Sequence, residues 1–128
     1  MEKIIKTIAL IGASSRKEKY GYKILRDLIN KGYTVYPVNP ASKEIEGIKV
    51  FSSIEELHDD VDLFVFVVPA QAGLDITKKL INRGLKKFWY QPGAESEEII
   101  GFLKNKKVRF STINCIMMNT IRQGDLTF

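Results

Sequence analysis

Gly12, Ala13, Ser14 and Ser15 follow directly on the apolar run Thr7–Ile11, and Arg16, Lys17, Lys19, Tyr20 and Gly21 complete the stretch GASSRKEKYG. Residues of these types at this spacing hold anions rather than break bonds. Gly12 lets the backbone turn sharply and lets a phosphate come close. Ser14 and Ser15 offer hydroxyls, and Arg16, Lys17 and Lys19 add positive charge. If a helix starts near Tyr20–Gly21, its first free N–H groups and its dipole point at the same place.

Those residues need a strand before them and a helix after them, and the pattern supplies both. Thr7 to Gly12 is a short apolar run ending in glycine, as in a buried parallel strand. Ile24, Leu25, Leu28 and Ile29 share one helical face, and Gly32 closes that helix. Thr34–Val38 is a second strand, with Pro37 marking a strand end or a sheet edge. Asn39–Pro40–Ala41–Ser42 turns the chain, Lys43–Gly47 stays loop, and Ile48–Phe51 is a short third strand. Ser53 and Glu56 predict a capping box opening a short helix to His58. Val61–Val68 is almost continuously apolar and predicts a fourth strand buried on both faces, stopped by Pro69. Ala70–Arg83 reads as a helix, Lys87–Tyr90 as the fifth strand, and Gln91–Pro92–Gly93 as a turn. Ser96 caps a third long helix, and Val108–Ser111 is a candidate sixth strand. Asn114–Phe128 reads as a short helix or a cover for an edge.

Strands alternating with helices through short loops predict one α/β domain over residues 1–128, a three-layer doubly wound parallel sheet of Rossmann-like type. The expected order is 3-2-1-4-5, with the sixth strand extending it. In such sheets ligands sit beyond the carboxyl ends of the strands at the switch point. Four segments meet there: Gly12–Gly21, Val38–Lys43, Val68–Ala72 and Gln91–Ala94.

Composition narrows the partners. The 128 residues carry 20 basic and 15 acidic side chains, a net charge of +5, which suits an anionic ligand. No dense Lys/Arg tract argues for nucleic acid. No apolar run approaches the ~20 residues that span a bilayer. Cys115 is the single cysteine, so no intrachain disulfide forms. With no leader signal at the start, the expected place is the cytoplasm.

The nucleotide class follows from two departures. The dinucleotide fingerprint G-x-G-x-x-G is absent, since the glycine after Gly12 is Gly21. After the second strand stands Asn39–Pro40, where NAD binding would want an acid for the ribose hydroxyls. Without that acid, and with Lys43 nearby, the site suits a ribose carrying an extra phosphate. Coenzyme A and NADP both have one.

At these motifs the chain resembles a known family. GASSRKEKYG, then YPVNP, VDLFVFVVPAQ and WYQPG, in this order, look like the stand-alone CoA-binding domain proteins. These are similar to the CoA-binding domain of the succinyl-CoA synthetase alpha subunit and of ADP-forming acyl-CoA synthetases. The resemblance runs from Ile5 to Cys115. It implies a Rossmann-type fold binding coenzyme A, with Gly12–Ser15 at the pyrophosphate. Asn39, Pro40 and Lys43 would lie by the adenosine, with Lys43 the phosphate partner. Val68, Pro69 and Ala70 would form a wall, and Gln91, Pro92 and Gly93 would flank the pantetheine arm.

The synthetases transfer phosphate through a histidine on a second domain, which this sequence lacks. Its sole histidine is His58. No Ser-His-Asp set, metal cluster or carboxylate pair can be assembled. The expected function is therefore non-catalytic binding of coenzyme A or an acyl-CoA, with a separate catalytic subunit or a second copy as the protein partner. The alternative is a small NAD(P)-dependent oxidoreductase or an acyl-CoA-handling enzyme. Cys115 reads either as a small buried residue or as a thiol that forms a mixed disulfide with the CoA thiol.

Overall fold

The computed structural model describes residues 2–128. In chain order its elements are β1 (Thr7–Ile11), α1 (Tyr20–Asn30), β2 (Thr34–Val38), β3 (Glu44–Ile45), β4 (Ile48–Lys49), β5 (Leu63–Phe66), α2 (Ala70–Asn82), β6 (Lys87–Tyr90), α3 (Glu97–Lys104) and β7 (Arg109–Ser111). Two 3-10 turns, Ile54–Glu56 and Ile116–Asn119, complete them. Five strands form one parallel sheet in the order β2-β1-β5-β6-β7. This is the expected doubly wound arrangement, with the sixth expected strand in place as β7. The chain reverses its winding between β1 and β5, so the switch point opens there.

The third expected strand, Ile48–Phe51, is mostly not in that sheet. Ile48–Lys49 pairs antiparallel with Glu44–Ile45 instead. Glu46 and Gly47 make the tight turn, with φ of 48° and 83°. Only Phe51 keeps the expected place, as one parallel bridge to Val38. Pro37 has no N–H to give a further strand; its carbonyl accepts from Phe51 at 2.9 Å, and Asn39 N–H donates to the Phe51 carbonyl at 2.9 Å. The capping box is also corrected. Glu56 accepts from the Ser52 N–H at 2.7 Å and from the Ser52 hydroxyl, not from Ser53, and the segment is a single 3-10 turn. Arg83 grips that turn from α2, donating to the Ile54 and Leu57 carbonyls at 2.8 and 3.0 Å and pairing with Asp59.

Strand alternation divides the core in two. Ile8, Leu10, Leu63, Val65 and Trp89 face α1. Ala9, Ile11, Phe64, Phe66, Phe88 and Tyr90 face α2 and α3. Phe66 and Tyr90 stack there at 4.6 Å between ring centroids. A single helix cannot cover the first face, and the C-terminal segment does the rest. Ile116 and Leu126 are buried against it. Trp89 Nε1 donates to the Asn114 carbonyl at 2.8 Å, Lys31 Nζ to the Met117 carbonyl at 2.8 Å, and Ile5 N to the Leu126 carbonyl at 2.9 Å.

At the opposite end of the sheet from the switch-point loops, Asp62 ties the chain before β5 to the start of β1. Its Oδ2 accepts from the Lys6 and Thr7 N–H groups at 2.9 and 3.0 Å, and Lys3 lies 3.2 Å from Oδ1. Burial works to raise the carboxyl, but these donors outweigh it and hold the group below its ordinary 3.8. A lowered folded-state value means stabilisation that is present above the unfolded value and lost as pH falls through the folded one. Asp62→Ala should therefore cost about 1–3 kcal/mol at neutral pH in urea unfolding. The gap to wild type should close in acid, and a gap constant with pH would contradict this account.

Candidate functional site

Main-chain bonds continue past the strand ends and fix the loops at the switch point. Gly12 N–H donates to the Val38 carbonyl at 3.0 Å, Val67 N–H to Ile11 at 2.8 Å, and Gln91 N–H to Phe66 at 3.1 Å. Gly12 has φ +102°, and a Cβ there would lie 2.7 Å from the Val67 carbonyl oxygen. Gly21 is bound just as tightly. A Cβ on it would overlap the Gly12 carbonyl oxygen and sit 3.1 Å from Ser14 N. The loop therefore folds flat on the first turn of α1 because both positions lack a side chain.

The polar side chains of the loops are used on the loops themselves. Asn39 Nδ2 donates to the Ala13 carbonyl at 2.7 Å, and its Oδ1 accepts from Ala41 N at 2.7 Å. Ser14 Oγ accepts from Arg16 N at 3.1 Å, and Arg16 pairs with Glu18 at 3.0 Å. The buried Gln91 accepts from Ile116 N at 2.8 Å and donates to Cys115 Sγ at 3.2 Å.

The two helices that flank Gly12 start without caps. Neither Lys19 before α1 nor Pro69 before α2 makes a side-chain cap, and neither first turn carries an acid. Helix α3, which lines no cleft at the switch point, is capped by Ser96 Oγ on Ile99 N at 3.1 Å and carries Glu97 and Glu98 in its first turn. The open N–H groups and positive dipole ends thus fall at Gly12.

Beneath them lies a cleft of about 380 Å³ between the ends of β1 and β2, the Ser52–Glu55 turn and α2. Gly12, Asn39, Pro40, Val68, Pro69 and Ala72 border it, as the sequence suggests, and so do Ser52, Ser53, Ile54, Glu55, Ile76 and Lys79, which the sequence did not place at the site. The spacing of Ile76 and Lys79 from Ala72 along one helix stripe is the signal that could have found the last two. Val68, Pro69, Gln91, Pro92 and Gly93 border a second recess of about 330 Å³ on the β5–β6 side. Tyr20, Gln91 and Pro92 meet Cys115 around a third recess of about 180 Å³. Ala70 is half-buried at the start of α2, and Ala13 and Gly21 are buried under the loop. Ser15, Arg16 and Lys43 are exposed and border none of these recesses, and His58 is exposed and likewise apart.

Tyr90, at the end of β6, is fully buried. Burial drives its hydroxyl well above the ordinary tyrosine value, while its hydrogen bond to Thr77 at 2.6 Å opposes this in part. Among the described residues no group of His, Cys, Asp and Glu is arranged to hold a metal ion, and no helix is long and apolar enough to cross a membrane.

The family described as CoA binding domain matches residues 6–120. An ADP-forming acetate–CoA ligase from Methanocaldococcus jannaschii is 33% identical over 96% of the chain, which spans 19% of that protein. The alpha subunit of ADP-forming acetate–CoA ligase II from Pyrococcus furiosus is 31% identical over 94% of the chain, which spans 29% of it. A conserved hypothetical protein from Pyrococcus furiosus superposes with a TM-score of 0.88 at 52% identity, covering 91% of this chain and 100% of that one.

The two-glycine contact gives a sharp expectation. Gly21→Ala should destabilise the fold by about 1–3 kcal/mol by overpacking. Gly101→Ala, in α3 with nothing within 4 Å of the added carbon, should stabilise it by about 0.5–1 kcal/mol. Thermal unfolding of both variants checks the pair, and equal effects would refute the contact.

Proposed function

This chain belongs to the CoA binding domain family, and we propose that it is a cytoplasmic, non-catalytic module that binds coenzyme A or an acyl-CoA. One observation carries the reading: two uncapped helix N-termini meet at Gly12 over the mouth of an apolar cleft of about 380 Å³. The helix ends suit a pyrophosphate, and the apolar walls suit a nucleoside. At the tip of β2, Asn39 stands where an acid would favour NAD, and both ends of its amide are already bonded.

In this reading the Gly12–Ser15 loop receives the pyrophosphate, through the main-chain N–H groups of Ala13, Ser14 and Ser15, with Arg16 and Tyr20 at the rim. Asn39 and Pro40 bound the adenosine end, and Val68, Pro69 and Ala70 form the dividing wall. Gln91, Pro92 and Gly93 flank the pantetheine arm, whose thiol end would lie towards Cys115. The ligases named above are several times longer than this chain. In this reading the chain presents the thioester carrier and a separate catalytic partner carries out acyl transfer.

Isothermal calorimetry with coenzyme A, NAD and NADP tests the proposal. Coenzyme A should bind more tightly than either dinucleotide. Tighter binding of NAD or NADP would overturn it in favour of an oxidoreductase.

A further inference from the structure

Resting on the coenzyme A reading, we propose that Lys79, not Lys43, is the cation that takes the phosphomonoester on the ligand's ribose. Two charged side chains border the large cleft, Lys79 and Glu55. Lys43 is exposed and borders none of the recesses at the switch point. Arg16 is occupied by Glu18. Lys79 takes part in none of the ion pairs among the described residues.

Its placement follows from α2. Ala72, Ile76 and Lys79 descend one stripe of the helix and together form the α2 wall of the cleft. Lys79 is nine residues past Ala70, about 13 Å down the axis from the uncapped end. Helical side chains lean back towards the N-terminus, so the Lys79 stem returns along the wall towards the cleft mouth. A nucleotide with its pyrophosphate at the top of α2 and its base against Ile76 has its ribose between them. A flexible ammonium stem rising from below suits a monoester there. The wall opposite is fixed: Arg83, one turn beyond Lys79, holds the Ile54 and Leu57 carbonyls, so Glu55 stays on the cleft rim. Glu55 puts a like charge near the same phosphate, and the two residues should therefore act with opposite sign.

Calorimetry with coenzyme A and dephospho-CoA on the full chain separates the possibilities. Lys79→Met should weaken coenzyme A by about tenfold or more while dephospho-CoA changes by less than about twofold. Glu55→Gln should tighten coenzyme A relative to dephospho-CoA, and Lys43→Met should alter neither preference. Thermal unfolding should show all three variants folded, since each side chain is exposed. Equal loss of both ligands in Lys79→Met, or no loss of either, would overturn the assignment. So would a loss confined to coenzyme A in Lys43→Met. Wild-type protein binding both ligands equally would remove the phosphate contact but leave the coenzyme A reading intact. Failure to bind either ligand would overturn that reading itself.

Discussion

The site depends on one close approach: the Gly12 carbonyl lies against the α-carbon of Gly21. Any side chain at Gly21 would push the loop off α1, and one at Gly12 would strike the β5–α2 loop at Val67. With both absent, the chain leaves β1, crosses flat over the first turn of α1, and turns the Ala13 carbonyl towards Asn39. The three loops beyond β1, β2 and β5 are thus locked to one another by backbone. This explains why the familiar G-x-G-x-x-G spacing is not needed. Two of its physical jobs, the sharp turn and the close helix approach, are done by glycines nine residues apart, and the longer loop between them is free to carry hydroxyl and basic residues.

Much of this was legible in the sequence because it rests on local signals. The apolar runs at Thr7–Ile11 and within Val61–Val68, the glycine after β1 and the proline after β5 each act within a few residues, so strand order and the meeting of loops at the switch point followed. What was not legible is set by contacts between distant residues. Ser53–Glu56 carries a capping-box pattern, yet Ser52 captures Glu56 and Arg83 pins the turn from 26 and 29 residues away. That turn forms a wall of the cleft, and so Ser52–Glu55 were missed. Lys79 was hidden for a related reason: a lysine on an amphipathic helix looks like solvated surface until the opposite wall is known. Ile48–Phe51 has strand composition, but Pro37 withholds the N–H that would seat it fully in the sheet.

The C-terminal segment joins stability to the site. One helix leaves part of the α1 face bare, and Ile116 and Leu126 cover it. The same segment is held by Trp89, Gln91 and Lys31. Gln91 spends its oxygen on Ile116 N and its nitrogen on Cys115, so the cysteine is placed beside Pro92 and Tyr20 as a consequence of closing the core. Loosening this cover would therefore open the hydrophobic core and shift the Cys115 recess together.

Asn39, Ser14 and Gln91 are the polar side chains a reader would assign to a ligand, yet each is bonded within the protein. Removing such a residue disturbs the loop before it disturbs any ligand contact. The cleft and the loops above it also offer main-chain N–H at two uncapped helix ends, apolar wall, serine hydroxyls, and the charges of Glu55 and Lys79. Helix ends accept any phosphate chain, and apolar walls accept any flat base, so neither distinguishes one phosphorylated nucleotide from another. Discrimination must then come from the placement of charge along the cleft, where an added phosphate either meets an ammonium or does not. With Lys79 meeting that phosphate, as proposed above, ligand preference would change with a side chain or two on α2 and the turn facing it while the folding contacts stayed intact.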